Sequence, residues 1–291
     1  MDYYLSVATF AALNVILALG LNLISGFCGQ VSLGHAAFYG LGAYAAALCA
    51  VAGVPFAASL AAGVLVAGAF GIVVGFAALR VRQDFLAIVT MGVGFLFIGA
   101  VRKQSWLGGE FGISKIPSPL DKSGYALLAI GAAVALLLLS LHIRRSWMGR
   151  AFGAVAQDED AARTIGIDVA GFKIAAFLIG TAAAGFAGGI YAHMTQLIVP
   201  DAFGFVQSVT ILAMVVVGGI GSTFGVVAGA VLLTLMPELF RFINDYKLLV
   251  YGGLLLAVMR FSPEGLAGLA RRLVARVRNR RRAVAAAGAS R

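Results

Sequence analysis

Long stretches of this sequence carry no charged residue. Five of them follow one another along the chain: Tyr3–Leu79, Phe85–Val101, Tyr125–Ile143, Ile174–Pro200 and Ala202–Pro237. A helix that crosses the hydrocarbon core of a bilayer needs about 20 mostly apolar residues. The first stretch is therefore long enough for three crossings, and the others can hold about four to six more.

This pattern predicts an all-α integral membrane protein, a polytopic helical bundle of about eight to nine hydrophobic segments. The start of the chain lacks the basic region of a signal peptide, and its apolar run is longer than a signal-peptide core. We therefore expect a first span near Leu5–Phe27 and not a cleavable signal peptide. The last span is expected at Lys247–Arg260. Residues 1–260 then form one transmembrane domain.

Composition and charge support this interpretation. Hydrophobic residues make up 61% of the chain and charged residues 12%, whereas a soluble domain carries about 25% charged residues. The net charge of +10 does not indicate a nucleic-acid partner. The basic residues are concentrated in a few short loops and at the C-terminus, which is the pattern of cytoplasmic segments in membrane proteins.

The candidate cytoplasmic segments are Arg80–Asp84, Arg144–Lys173 and everything after Met259. Nine arginines and one acid follow Met259, so residues 261–291 are expected to be a disordered cytoplasmic tail attracted to anionic membrane lipid.

Two glycine-rich interruptions stand out within the apolar runs, and they predict broken or re-entrant helices near Gly26–Gly34 and Gly218–Gly225. The stretch Ala202–Pro237 either makes two short passes or dips in and returns on one side. Free helix ends at membrane depth can bind an ammonium or carboxylate group, although a packing turn explains the glycines equally well. The candidate pathway residues are Asn22, Ser25, Gln30, Ser32, His35, Gly218, Gly219, Gly221 and Ser222.

Several kinds of chemistry have no motif in this chain. There is no G-x-x-x-x-G-K-[ST] phosphate loop, no H-E-x-x-H motif and no Cys/His cluster. We therefore expect no catalytic site, no metal site and no bound cofactor. The spans also lack the acidic and basic residues that ion-driven carriers place at membrane depth. The absence of such residues favours a transporter whose energy source lies outside this chain, and a channel would fit it as well.

The loop Arg144–Lys173 predicts a short helix outside the bilayer. Asp158, Glu159 and Asp160 suit a helix N-terminus, and Gly166 suits a C-terminal stop. The expected helix has about two turns and presents Ala161, Ala162 and Ile165 to whatever docks there. An amphipathic helix that rests on the membrane is the alternative.

The motif Asp-Ala-Ala-x-x-x-Gly at Asp160–Gly166 resembles the EAA coupling loop of ABC importer permeases. Further blocks follow the order found in the LivM-type branched-chain amino acid permease family, which the chain resembles from about Leu19 to Leu269. These blocks are Gly20–Tyr44, Lys173–Phe177, Ala184–Tyr191, Val217–Gly225 and Ser262–Leu266. The sequence departs from the family pattern at three positions, with His35 in place of a glutamine, Ala156 in place of an arginine and Asp160 in place of an apolar residue.

The resemblance implies the permease subunit of a bacterial ABC importer in the inner membrane, with residues 144–173 as a cytoplasmic coupling loop. The implied partners are a LivH-type permease, two ABC ATPase subunits that use ATP, and a periplasmic substrate-binding protein. The implied substrates are leucine, isoleucine and valine. The implied contacts to the ATPase are Asp158, Glu159, Asp160, Ala161, Ala162 and Gly166. The alternatives are a permease for urea, amides or other amino acids, a stand-alone channel or secondary carrier for a small neutral solute, and a membrane enzyme or scaffold.

Overall fold

A computed structural model of the chain describes residues 2–81, 83–239, 250, 252–253, 256, 258, 260 and 265–268. Its helices are α1 (Asp2–Leu21), α2 (His35–Val51), α3 (Phe56–Leu79), α4 (Gln83–Lys103), α5 (Lys122–Arg145), α6 (Trp147–Gln157), α7 (Glu159–Thr164), α8 (Val169–Thr195), α9 (Phe205–Gly218) and α10 (Thr223–Leu239). A π-helical turn, Asn22–Phe27, continues α1, and short 3-10 turns lie at Ser105–Leu107, Gly109–Phe111 and Pro200–Phe203. Two short strands, β1 (Ile113–Ser114) and β2 (Leu197–Ile198), pair antiparallel.

The structure confirms an all-α polytopic membrane protein. Within the described ranges, six helical stretches are long and apolar enough to cross a membrane, and two shorter apolar helices, His35–Val51 and Thr223–Pro237, accompany them. Three of these eight precede Arg80, as the charge-free first stretch predicts. The span expected at Lys247–Arg260 and the basic tail lie for the most part outside the described residues.

Two ion pairs and a small sheet define one end of the bundle, which we call the Asp2 end. Lys122 Nζ lies 3.3 Å from Asp2 Oδ2, so α1 and α5 start side by side. Arg102, at the end of α4, pairs with Asp201, just before α9. The loops at residues 104–121 and 196–204 lie here and are joined by β1 and β2. Residues 146–168 lie at the opposite end, which we call the loop end.

The stretch Ala202–Pro237 forms two antiparallel helices. Helix α9 starts at the Asp2 end and runs to a turn at residues 219–222, where the Gly221 amide donates to Asn22 Oδ1 at 2.9 Å. Asn22 lies about 30 Å along the helix from Asp2, so the turn is close to the loop end. Helix α10 then runs back in the direction of the Asp2 end, and near the middle of the first span Asn14 Nδ2 donates to Thr234 Oγ1 at 3.0 Å. The stretch Pro200–Gly218 is long enough to cross a membrane, whereas Thr223–Pro237 is shorter.

Glycines bring the backbone of α8 against three other helices. A Cβ on Gly42 of α2 would collide with the backbone of Gly185 in α8, and one on Gly185 would collide with Gly63 of α3. Gly180 of α8 and Gly20 of α1 face each other in the same way. Small residues allow such close approach between helices in lipid. Helix α8 is thus the central element of the bundle.

This contact predicts a position-specific effect of added volume. Gly185→Val should destabilise the protein, because the new side chain must push α8 away from α2 and α3, and overpacking of this kind costs about 1–3 kcal/mol. The matched control is Gly131→Val on α5, since a Cβ at Gly131 meets nothing within 4 Å. The measurement is the thermal aggregation midpoint in detergent, followed by size-exclusion chromatography. Equal midpoints for the two variants would contradict the packing argument.

Candidate functional site

The loop between α5 and α8 folds into two capped helices. Ser146 Oγ accepts a hydrogen bond from the Gly149 amide at the start of α6. Asp158 ends α6 and begins α7, and its Oδ1 accepts from the Asp160 and Ala161 amides at 2.9 and 3.0 Å. Gly166 follows α7 with a φ of +83°, which glycine adopts without steric cost. The helix expected at the acidic run is therefore present, with the predicted start and stop.

The two sides of α7 differ in exposure. Asp160, Ala161 and Ile165 are exposed, and the Asp160 carboxylate pairs with Arg163 at 2.9 Å on the surface. Ala162 was expected to face a docking partner, but it is buried at 2% exposure. The reason is that α6 presents Phe152 and Val155 toward the bundle, and Ala162 packs into the same hydrophobic cluster.

Glu159 and Lys173 form an ion pair across the junction between α7 and α8. Lys173 is only 4% exposed, and Glu159 retains 23% side-chain exposure. Lys173 was expected only as the end of the loop and the start of a family block, and the pair was not predicted. The sequence does carry one signal for the pair, because Lys173 directly precedes a long charge-free stretch. A single charge at the edge of an apolar helix costs free energy unless it has a partner.

The two helix breaks lie against each other. The break predicted near Gly26–Gly34 is a π-helical turn followed by residues 28–34 without helix, and the break predicted near Gly218–Gly225 is the turn at residues 219–222. Asn22 joins them by accepting from the Gly221 amide. Gly26 lies so close to Gly221 that a Cβ would collide with its amide nitrogen. The sequence predicted both breaks, and the tertiary structure places them together.

Side chains distant in sequence satisfy the backbone of the first break. Thr90 Oγ1 of α4 accepts from the Leu33 amide at 3.0 Å, and Ser208 Oγ of α9 accepts from the Ala36 amide at 3.1 Å. Ser25 Oγ donates to the Gln30 carbonyl at 2.9 Å. Thr90 and Ser208 were not among the candidate residues, and no local pattern in the sequence marks them, because their partners are far away along the chain.

The five polar candidates of the first break are all buried within this chain: Asn22, Ser25, Gln30, Ser32 and His35. Among the described residues, four of their polar atoms have no hydrogen-bond partner, namely Asn22 Nδ2, Gln30 Oε1 and the two ring nitrogens of His35. The ring of His35 lies near the Leu17 carbonyl, but outside hydrogen-bonding geometry. Unpartnered buried polar atoms are rare and call for water or a solute.

At the second break, Gly218 and Gly219 are buried, while Gly221 and Ser222 are partly exposed.

One hydrophobic cluster connects the first break to the loop helices. Phe27 and Cys28, at the end of the π-helical turn, pack with Phe152 of α6, Ala162 of α7 and Ala176 of α8. The interior face of the loop and the interrupted helix therefore share a core.

The part of the chain that the structure describes holds no group of three or more His, Cys, Asp or Glu side chains that could bind a metal ion. Cys28 is buried and Cys49 is partly buried, and both are unpaired thiols. What the described region offers is two apposed helix breaks and a folded loop with one exposed charged face.

These features define a multi-pass helical membrane protein with a structured loop at one end. The sequence matches the family described as branched-chain amino acid transport system / permease component over residues 3–259. It is 36% identical to the high-affinity branched-chain amino acid transport system permease protein LivM of Salmonella typhimurium, over 91% of this chain and 70% of that protein. The corresponding proteins BraD of Pseudomonas aeruginosa and LivH of Escherichia coli are 28% and 26% identical, each over 89% of this chain, and over 93% and 92% of their own lengths.

The chain therefore belongs to this family of transport permease components. No solved structure matches it. The family resemblance drawn from the sequence blocks is confirmed.

The Asp158 cap makes a prediction about the stability of α7. Asp158→Ala should release the Asp160 and Ala161 amides, which costs about 1 kcal/mol and corresponds to roughly five-fold faster opening of the helix. Hydrogen exchange measured by mass spectrometry over residues 159–164 checks this. Asp121→Ala is the matched control, because Asp121 stands at the start of α5 without a side-chain cap hydrogen bond. Unchanged exchange in α7 would show that the cap contributes nothing.

Proposed function

We propose that this chain is the permease subunit of an ABC importer for the branched-chain amino acids leucine, isoleucine and valine. The observation that carries the proposal is the capped helix α7, held at the end of an apolar bundle with one face exposed, in a chain that belongs to a branched-chain amino acid permease family. The relatives' names supply the substrate class. The bundle supplies a membrane pathway, and the loop supplies a surface for an energy source.

The proposed assembly contains two permeases of this family, two ABC ATPase subunits at the loop end and a substrate-binding protein at the Asp2 end. ATP is bound by the ATPase subunits, and this chain itself holds no cofactor and catalyses no reaction. The loop end then faces the cytoplasm of a bacterial inner membrane, together with the basic C-terminal tail. The arginine-rich loops and tail support this orientation.

Apolar amino acids suit the chemistry of the two breaks. Such a substrate needs capture of its ammonium and carboxylate groups and an apolar passage for its side chain. Helix ends at such breaks carry partial charges that suit the charged ends of the substrate, and the unpartnered atoms of Asn22, Gln30 and His35 are nearby polar groups within the described part of this chain. In the proposed cycle, closure of the ATPase dimer displaces α7, and the bundle exchanges outward for inward opening.

The first experiment is purification of the protein from detergent-solubilised bacterial membranes, with mass spectrometry of the proteins that accompany it. Recovery of two ATPase subunits and a second permease is expected. Reconstituted vesicles should then take up labelled leucine only when ATP is present. Recovery of this chain alone, with solute flux that needs no ATP, would favour a channel or carrier instead.

Asp160 offers a sharper test of the docking surface. Asp160→Lys reverses a charge that is 90% exposed on α7, so it should lower ATPase recovery about ten-fold, as expected for loss of one or two interfacial charge contacts. Leucine uptake should fall with it. Glu110→Lys is the matched control, since Glu110 is exposed in the loop at the Asp2 end. Full ATPase recovery and uptake with the Asp160 variant would exclude this face as the docking site.

A further inference from the structure

Lys173 is the one charged residue of the long helix α8, Val169–Thr195. It is buried in the first turns of that helix, and its ammonium group pairs with the Glu159 carboxylate of α7. Burial of an ion pair costs free energy, and replacing both of its charges by well-packed apolar residues is often neutral or stabilising. Stability of the bundle therefore does not explain why a lysine occupies this position.

The pair is also the main polar attachment of α7 to the bundle. Among the ion pairs of the described residues, it is the one that joins the 146–168 loop to a spanning helix. The Arg163 pairs with Glu159 and Asp160 lie within α7 itself. Of the six residues of α7, Ala162 alone is buried. A short helix with one buried methyl group and one buried ion pair depends on that pair for its position.

Helix α8 connects Lys173 to the rest of the proposed pathway. Ala176, one turn further on, packs in the cluster that contains Phe27 and Cys28 of the first break. Gly180, another turn on, lies directly against the backbone of Gly20 in α1. Because a helix moves as a rigid body, a force applied at Lys173 acts on both contacts.

We propose that Lys173 is a positioning residue, and that the Glu159–Lys173 pair is a tether that transmits displacement of α7 to α8 and to the first helix break. This inference rests on the proposed function, since it assigns a role to α7 once an ATPase has docked there. In a site of low dielectric constant the two charges attract strongly, and the pair resists separation more than apolar side chains that slide past one another. The exposed face of α7 binds the ATPase, and the buried pair carries the motion inward.

Three variants test the tether, and each is chosen from the surroundings of the Lys173 and Glu159 side chains. Lys173→Met removes the buried cation but leaves Glu159 partly exposed with Arg163 at 3.7 Å, so the protein should still assemble. Glu159→Leu combined with Lys173→Met replaces both charges by apolar groups and leaves none unpaired. Lys173→Arg keeps the charge. Thr181→Val is the matched control, because it removes a buried polar group of α8 whose hydrogen bonds go to the Phe177 and Leu178 carbonyls of the same helix.

The measurement has two readouts on the complete complex in lipid nanodiscs. The first is recovery of ATPase subunits with the permease, which tests docking. The second is the coupling ratio, defined as the rate of ATP hydrolysis with leucine-loaded binding protein divided by the basal rate. We expect Lys173→Met and the double variant to retain ATPase recovery and to lose at least about five-fold in the coupling ratio, the lower range of coupling between distant sites. Lys173→Arg should keep most of the ratio, and Thr181→Val all of it.

The outcomes separate the tether from the proposed function. Absence of ATPase subunits from the unmodified complex would overturn the proposed function, and the tether with it. A normal coupling ratio in the double variant, with ATPase recovered, would overturn the tether alone and assign the pair a structural role. If Lys173→Met fails to assemble, the double variant decides, because it contains no unpaired charge.

Discussion

The close contact of α8 with α1, α2 and α3 is the feature on which the rest of this structure depends. In lipid the association of helices is driven by packing and interhelical hydrogen bonds rather than by burial from water. Glycines at Gly20, Gly42, Gly63, Gly180 and Gly185 let the backbones meet directly. A bundle held in this way has one rigid centre, and the interrupted helices and the loop are arranged around it.

The two helix breaks are tolerated because each has partners inside the protein. An exposed amide or carbonyl group in hydrocarbon is costly, so broken backbone occurs at membrane depth only where protein or water satisfies it. Asn22, Thr90, Ser208 and Ser25 provide such partners. The polar atoms that remain unpartnered are on Asn22, Gln30 and His35. The breaks are thus well supported by the surrounding helices and still offer unused hydrogen-bonding groups.

The loop end shows how a small helix can present one exposed face and still pack into the core. One face of α7 presents Asp160, Ala161 and Ile165 to the exterior, while Ala162 and Glu159 face the bundle. Ala162 belongs to a hydrophobic cluster that also includes Phe27 and Cys28, at the end of the interrupted first helix. The loop and the first helix break are therefore joined by a few side-chain contacts in one hydrophobic cluster.

The sequence by itself determined the class of the protein, its apolar helices, both helix breaks and the capped loop helix, because each follows from local composition and spacing. Charge-free runs set the spans, glycine clusters mark the breaks, and Asp158 and Gly166 delimit α7. Tertiary structure alone decided that the breaks meet, that Ala162 faces inward, that α9 and α10 run antiparallel and that Lys173 pairs with Glu159. Local patterns do not encode these features, because each depends on which helices lie side by side, and that is settled by contacts between residues far apart in the chain.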